Sequence, residues 1–247
     1  MNSTCVKITH VIFDLDGLLL DSETVYTRIN EEILLGYGKK YTMELKAKMA
    51  GMGMNESINV ILKHEDLIGK VTLEQYRKQY LELASKYLPD SKLLPGALRL
   101  VKHFAKHLIP IALCTGSSTF EFETKMQKHQ ELLQLINLRV SIFLSRLVLS
   151  LNVLADDPSV KHCKPAPDAF LITMQRFVKK PTSAANVLVF EDSINGVRAA
   201  IAAGMQVIMV PDPRYSKPPE DCEKMILLVL KSLTEFQPET VGLPPFD

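Results

Sequence analysis

The chain has 247 residues, 47% of them hydrophobic and 23% charged. That is ordinary globular composition and excludes a disordered or collagen-like chain. Its 29 Lys and Arg against 28 Asp and Glu leave a net charge of +1 with no block of like charge, so neither a nucleic-acid-binding nor a polybasic membrane surface is expected.

The first apolar run, Ile8 to Phe13, reads as a buried strand ending at Asp14. Helical spacing follows. Val25, Ile29 and Ile33 mark one helix, stopped near Gly36 and Gly38, and Ser57 to Lys63 fits another. Thr72-Leu-Glu-Gln75 is a capping-box start, followed by Tyr76, Tyr80, Leu83 and Tyr87 on one face, with Pro89 after. Ala97, Val101, Phe104 and Leu108 share a further helix face. A second strand, Pro110 to Cys114, ends at Thr115-Gly116-Ser117-Ser118. A third, Asn186 to Phe190, ends at Glu191-Asp192. Gly196 to Ala203 reads as a helix stopped by Gly204. Met205 to Val210 is a fourth strand and Met225 to Leu230 one more, and Ser232-Leu-Thr-Glu235 is a capping-box pattern opening a last short helix.

Strands alternating with helices predict an α/β fold with a doubly wound, Rossmann-like parallel sheet. The span between the first strand and Pro95 holds no buried strand, which predicts a small all-helical domain inserted at residues 18–94. Residues 1–17 and 95–247 then form the core, with hinges near Gly17 to Asp21 and Leu94-Pro95-Gly96. Cys5, Cys114, Cys163 and Cys222 make no CxxC pair and read as free thiols of a reducing compartment. The start of the chain lacks a signal-peptide core. The most apolar stretch, Leu132 to Ala155, is broken by Arg139 and Arg146, so no membrane span is expected. The expectation is a cytoplasmic monomer without a nucleic-acid or membrane partner.

Three strands end in polar clusters, and ligands of open α/β sheets bind off the carboxyl ends of strands. Taken singly each cluster has a plain structural reading: Asp-Leu-Asp-Gly a turn, Thr-Gly-Ser-Ser a helix N-cap, Lys164-Pro165 a solvated loop. Their joint occurrence in this order is far more specific. Asp14-Leu-Asp16-Gly17-Leu-Leu-Leu-Asp21-Ser22, Leu113-Cys-Thr115-Gly-Ser, Lys164-Pro-Ala-Pro-Asp168-Ala-Phe170 and Phe190-Glu191-Asp192-Ser193-Ile-Asn-Gly196 resemble the four motifs of the haloacid dehalogenase superfamily. The helical insert sits where that superfamily carries its C1 cap. Within it the chain looks most similar to the pseudouridine-5′-phosphatase-like branch, on the tracts Leu188-Val-Phe-Glu-Asp, Ala203-Gly-Met-Gln-Val-Ile-Met-Val-Pro211 and Phe236-Gln-Pro-Glu.

The resemblance implies an Mg²⁺-dependent hydrolase of a small-molecule phosphate ester, such as pseudouridine 5′-phosphate. Asp14 is the implied nucleophile, forming an aspartyl-phosphate. Asp16 would protonate the leaving alkoxide and then activate water, which requires a pKa different from that of Asp14. Asp14, the Asp16 backbone carbonyl and Asp192 would hold the Mg²⁺, with Glu191 as an outer partner. The Thr115 hydroxyl and the N–H groups of Gly116 and Ser117 would bind phosphate oxygens, and Lys164 would supply a fixed positive charge. Gly51 to Ser57, with Met52 and Met54, is expected to face the substrate, although Met49, Met52 and Met54 also read as ordinary packing.

In one place the chain departs from the family pattern. Thr115 and Lys164 stand farther apart than in the family, the excess lying at Asn137 to Leu151, which reads as an added helix or hairpin or as a gene-model artefact. Other functions remain open on the sequence. A sugar-phosphate mutase uses the same Asp pair, but Gly51 to Ile58 holds no Arg or Lys to anchor a second phosphate. A phospho-accepting signalling domain would need neither Asp16 at this spacing nor a helical insert. An inactive homologue disabled by the added segment is opposed by the intact motifs.

Overall fold

The computed structural model describes residues 6–49, 52–137 and 152–247. Strands β1 (His10–Phe13), β2 (Ile111–Leu113), β3 (Val187–Glu191), β4 (Gln206–Met209) and β5 (Leu228–Val229) form one sheet in the order β2-β1-β3-β4-β5. Every pairing is parallel. The chain enters at β1, adds β2 on one side and then β3 on the other. This reversal beside β1 opens a crevice at the carboxyl ends of the strands.

The layers follow from the period-two alternation of the strands. Val11, Phe13, Ile111, Leu113, Leu188, Phe190 and Ile208 point to one face. There they bury against Leu100, Val101 and Phe104 of α5 (Ala97–Lys106), Phe122 and Met126 of α6 (Thr119–Met126), and Leu132 and Ile136 of α7 (Gln130–Asn137). Ile12, Ala112, Val187, Val189, Val207 and Met209 point to the other. They bury against Phe170 of α8 (Asp168–Arg176) and Val197, Ala199 and Ala200 of α9 (Ile194–Ala202). Both faces are covered, as a parallel sheet requires. Burying each large apolar side chain stabilises the fold by about 2 kcal/mol before entropy is counted.

A third cluster is built from residues 29–88 alone. Ile29, Ile33 and Leu34 of α1 (Ser22–Gly36) pack with Leu45 and Met49 of α2 (Met43–Met49), Ile58, Ile61 and Leu62 of α3 (Met54–His64), and Tyr76, Tyr80 and Tyr87 of α4 (Leu73–Tyr87). The capping box expected at Thr72 is present in both directions. The α1 end is closed by a Schellman turn, with Gly38 at φ 68° and bonds Lys39 N–H to Leu34 O and Gly38 N–H to Leu35 O. The two chain crossings between this helical insert and the sheet run side by side. Leu20 bridges Leu93 antiparallel, Asp21 N–H bonds Lys92 O and Leu94 N–H bonds Leu19 O.

Several sequence expectations need correction. Leu108 does not lie on the α5 face. The helix stops at Lys106, and Leu108 N–H and Ile109 N–H turn back to Ala105 O and Phe104 O in a Schellman turn. That leaves Leu108 at φ 58° and exposed, while Ile109 packs on the core in its place. The pattern at Ser232 gives a 3₁₀ turn, Leu233–Glu235, and no reciprocal box: Ser232 Oγ accepts from Thr234 N–H, and Glu235 accepts from Lys231 N–H. The last strand is only two residues long. Helix α2 was not foreseen from the sequence; its seven residues carry a single buried i, i+4 pair, Leu45 and Met49. Of the expected addition at Asn137 to Leu151, Asn137 closes α7 and the remainder lies outside the described residues, as does Gly51. Among the described residues no helix is long and apolar enough to cross a membrane.

Candidate active site

Asp14 is placed by the sheet itself. It follows β1 directly, and its N–H continues the ladder to Phe190 O at 3.0 Å. Glu191 ends β3 beside it, and the Lys164 ammonium spans the two, at 2.7 Å from Asp14 Oδ1 and 2.6 Å from Glu191 Oε1. It donates also to Cys114 O at 3.0 Å. All three side chains are buried. The second Glu191 oxygen accepts from the N–H groups of Asp192 and Ser193 and from the Ser193 hydroxyl, each at 3.0 Å. Ser193 in turn caps α9 by accepting from Gly196 N–H. Gly196 is needed for this seat, because a Cβ there would overlap the Glu191 carboxylate.

The electrostatics of this corner are unbalanced toward negative charge. Burial, opposed by Lys164 and reinforced by Glu191 and Asp16, pushes the Asp14 carboxyl up to about 7. Burial, followed by the charges of Glu191, Asp14 and Glu23, pushes Asp192 well above the usual carboxylate range. Burial works against the charge of Lys164, yet Asp14 and Glu191 outweigh it and hold the ammonium ionised. Gly17, at φ 76°, turns the chain so closely past Asp192 that any Cβ would strike its carboxylate. Buried oxygen ligands short of positive charge are what a hard divalent cation completes. Among the described residues no three His, Cys, Asp or Glu side chains are grouped to hold an ion by themselves. Asp14 and Asp192, both buried and both lining one cavity, are the carboxylates that fit such a cation.

Asp16 sits in a different network. Its Oδ1 accepts from the Ser22 hydroxyl at 2.6 Å, the Tyr26 hydroxyl at 3.2 Å and the Lys125 ammonium. Its Oδ2 accepts from the hydroxyls of Thr115 at 2.8 Å and Ser117 at 2.7 Å. Burial alone would raise this carboxyl. Lys125, by charge and hydrogen bond, and the Ser22 and Ser117 hydroxyls outweigh burial and hold it well below the usual range. Asp14 and Asp16 thus differ in proton affinity, in the sense opposite to that of a nucleophile and its proton donor. The donors expected on phosphate are engaged within the protein: Thr115 and Ser117 hydroxyls on Asp16, and Ser117 N–H on Thr115 Oγ1 at 3.1 Å. Gly116 lines the cavity between the sheet and the insert.

That cavity has a volume of about 190 Å³. Its floor holds Asp14, Asp16, Thr115, Lys164 and Asp192, and its roof Tyr41, Met49, Met52, Met54 and Ile58 of the insert. Tyr80 of α4 reaches across to bond Glu121 of α6 at 2.9 Å. One insert cation, Lys46, also lines the cavity, outside Gly51 to Ile58. It is held by Glu23 Oε2 at 3.1 Å, Glu23 O at 2.9 Å and Thr27 Oγ1 at 2.8 Å, over the Tyr215 ring.

Lys125, Tyr26, Ser22 and Lys46 were missed in the sequence. A signal existed for the first: Phe122, Lys125 and Met126 share the buried face of α6, and a lysine in a buried stripe calls for a partner.

Residues 8–204 match the model of the haloacid dehalogenase-like hydrolase family. The chain is 41% identical over 241 residues to (DL)-glycerol-3-phosphatase 2 of Arabidopsis thaliana, covering 98% of this chain and 94% of that protein. It is 39% identical over 245 residues to a Drosophila melanogaster protein named "Probable pseudouridine-5'-phosphatase", covering 99% and 98%. The crystal structure of CbbY from Rhodobacter sphaeroides in complex with phosphate shares the fold, with a TM-score of 0.67 at 21% identity over 92% of this chain and 96% of that one.

Proposed function

The chain belongs to the haloacid dehalogenase-like hydrolase family and is a phosphatase of small phosphorylated metabolites, and from that premise we propose that it hydrolyses a phosphate monoester with Mg²⁺ by way of an aspartyl-phosphate on Asp14. The observation that carries this reading is the convergence of Asp14, Lys164, Glu191 and Asp192 at the ends of neighbouring strands, beside the Thr115 and Ser117 hydroxyls.

In the first half-reaction an Asp14 oxygen bonds to phosphorus as the ester P–O bond breaks, and Asp16 delivers its proton to the departing oxygen. In the second, Asp16 takes a proton from water as that water attacks phosphorus. Inorganic phosphate leaves and the Asp14 carboxylate is restored. A bound Mg²⁺ would neutralise Asp14 and Asp192 and draw the phosphate dianion toward the nucleophile. Phosphate entering the site competes for the Thr115 and Ser117 hydroxyls. It thereby strips two donors from Asp16 and places negative charge beside it, and both changes raise its affinity for a proton. Substrate binding thus shifts Asp16 toward the protonated form that the first step requires. Lys164 stabilises charge on the transferring phosphoryl group.

The metal is tested by chelation. Activity is expected to fall on the order of 10²-fold in chelator and to return with Mg²⁺, while Ca²⁺ inhibits because its looser coordination misplaces Asp14 against phosphorus. A second readout is independent of turnover. Asp14 and Asp192 have folded-state pKa values raised above their unfolded values. The stability they contribute is complete below the unfolded pKa and is lost as pH rises through the folded one. Mg²⁺ reverses that loss, so the rise in Tm on adding it should be larger at about pH 8 than at about pH 5. Full activity in chelator, or a Tm shift that shrinks with pH, would remove Asp192 from the metal role.

For the substrate, the small cavity favours a compact metabolite over a phosphoprotein segment. The Tyr and Met lining of the roof supports a nucleoside 5′-phosphate such as pseudouridine 5′-phosphate, since flat π faces pack against aromatic and thioether groups. Glycerol 3-phosphate is the second reading, favoured by the identity to the plant glycerol-3-phosphatase. Hydrolysis is favoured over phosphoryl return to the substrate because Lys46 is already paired with Glu23. Selectivity is proposed to reside in the insert. Met52→Glu and Met54→Glu should change the kcat/KM ratio between a nucleoside monophosphate and glycerol 3-phosphate by about tenfold, with p-nitrophenyl phosphate less affected. Equal scaling of all three esters would show that the roof does not choose the substrate.

A further inference from the structure

Lys125 has no exposed side-chain surface. The capping box at Ser118 and Glu121 fixes the first turn of α6. From the following turn Lys125 leans back toward the N-terminal end of the helix, as long helical side chains do. Its ammonium meets the Asp16 carboxylate, the Ser117 hydroxyl at 2.5 Å and the Tyr26 hydroxyl at 3.0 Å. An ammonium has three N–H donors, and here each has one oxygen. The three oxygens come from three places: the turn after β1, the turn after β2, and helix α1 of the insert. Tyr26 closes the circuit by bonding Asp16 at 3.2 Å and Ser117 at 3.3 Å.

We propose that Lys125 is a positioning residue for the acid–base step: with Tyr26 it ties the Asp16 carboxylate and the Ser117 hydroxyl to the helical insert, so that Asp16 faces the leaving oxygen only while the insert is seated on the core. The proposal rests on the reading of Asp16 as the proton donor. Five donors converge on the two oxygens of Asp16, and three of them, Lys125, Tyr26 and Ser22, do not belong to the turn that carries the phosphate-binding Thr115 and Ser117. When phosphate draws Thr115 and Ser117 away, Lys125, Tyr26 and Ser22 are what still orient the carboxylate. Tyr26 and Ser22 both reach the site from α1 of the insert, so displacement of the insert removes two of these three.

The test separates esters by their need for a proton. An alkoxide must be protonated as it leaves, and p-nitrophenolate need not be. Phosphoryl transfer to the Mg²⁺-loaded enzyme is measured by rapid mixing with glycerol 3-phosphate and with p-nitrophenyl phosphate, for the wild type, Asp16→Ala, Lys125→Met and Tyr26→Phe. Lys125→Met should lower the ratio of alkyl to aryl transfer rates at least about tenfold, and Tyr26→Phe should lower it by a smaller factor in the same direction. A burst of one nitrophenolate per site reports a folded centre. Should Lys125→Met give no burst, Tyr26→Phe carries the comparison, since it removes one oxygen and no volume. An unchanged ratio in these variants, with Asp16→Ala lowering it, overturns the positioning role and leaves Asp16 as the acid. An unchanged ratio in Asp16→Ala overturns the acid role itself, and the positioning role with it.

Discussion

Asp14→Asn is expected to lower turnover of every ester by more than roughly 10³-fold, about 4 kcal/mol of barrier, with the fold intact. The amide is the right size for the site, and its oxygen can still accept from Lys164, now 2.7 Å from Asp14 Oδ1. What it cannot do is form the acyl phosphate. The same substitution has a second signature that separates it from a damaged site. In the metal-free protein the Asp14 carboxyl is pushed up to about 7, by burial first and then by Glu191 and Asp16. A group raised in the folded state gives stability that is complete below its unfolded pKa and lost as pH rises through the folded one. Asparagine has no proton to lose. The metal-free variant should therefore unfold at a higher temperature than the metal-free wild type at about pH 8, and the gain should be smaller at about pH 5. Clear residual turnover in a preparation free of contaminating phosphatase would sink the nucleophile assignment, and a Tm that falls at the higher pH would sink the electrostatic account of the site.

The sheet and its strand ends were legible because they are local. A short apolar run that stops at a carboxylate or hydroxyl declares both a buried strand and what lies at its mouth, as β1 does at Asp14, β2 at Thr115 and β3 at Glu191. Helix starts marked by a reciprocal cap, as at Thr72, were equally plain. The misses share another cause. Leu108 has the spacing of the α5 stripe, but a turn built from backbone bonds ended the helix first, and nothing in the side-chain pattern encodes that. Ser232 has the letters of a capping box without the helix to close it. Lys125, Tyr26 and Lys46 act across the boundary between insert and core, where a contact depends on how two folded bodies meet. Periodicity places Lys125 on the buried face of its own helix and is silent about the partner.

Lys164 is where chemistry and stability meet. It is the ammonium that bonds both Asp14 and Glu191, 2.7 Å and 2.6 Å away. Lys164→Met keeps most of the volume of the stem and removes the charge. Activity on every ester should fall together, by roughly 10²- to 10³-fold, because each presents the same phosphate to the same missing charge. The roof substitutions at Met52 and Met54 change ratios between substrates, whereas this one should not. Stability should fall as well, by about 3 kcal/mol or more, since removing one partner of a buried ion pair leaves the other uncompensated. The loss has a definite pH dependence. Lys164 lowers the Asp14 pKa, so without it that carboxyl rises further above its unfolded value. The destabilisation is relieved where the carboxyl stays protonated and grows as it ionises, and so should be larger at about pH 8 than at about pH 5. Glu191 retains the Asp192 and Ser193 donors, which keeps the turn into α9 in place. Calorimetry at the two pH values, alongside kcat/KM on three esters, checks both halves. A pH-independent loss of stability would mean that Lys164 acts by packing. Selective loss of one substrate would place its charge on the leaving group instead of on the phosphate.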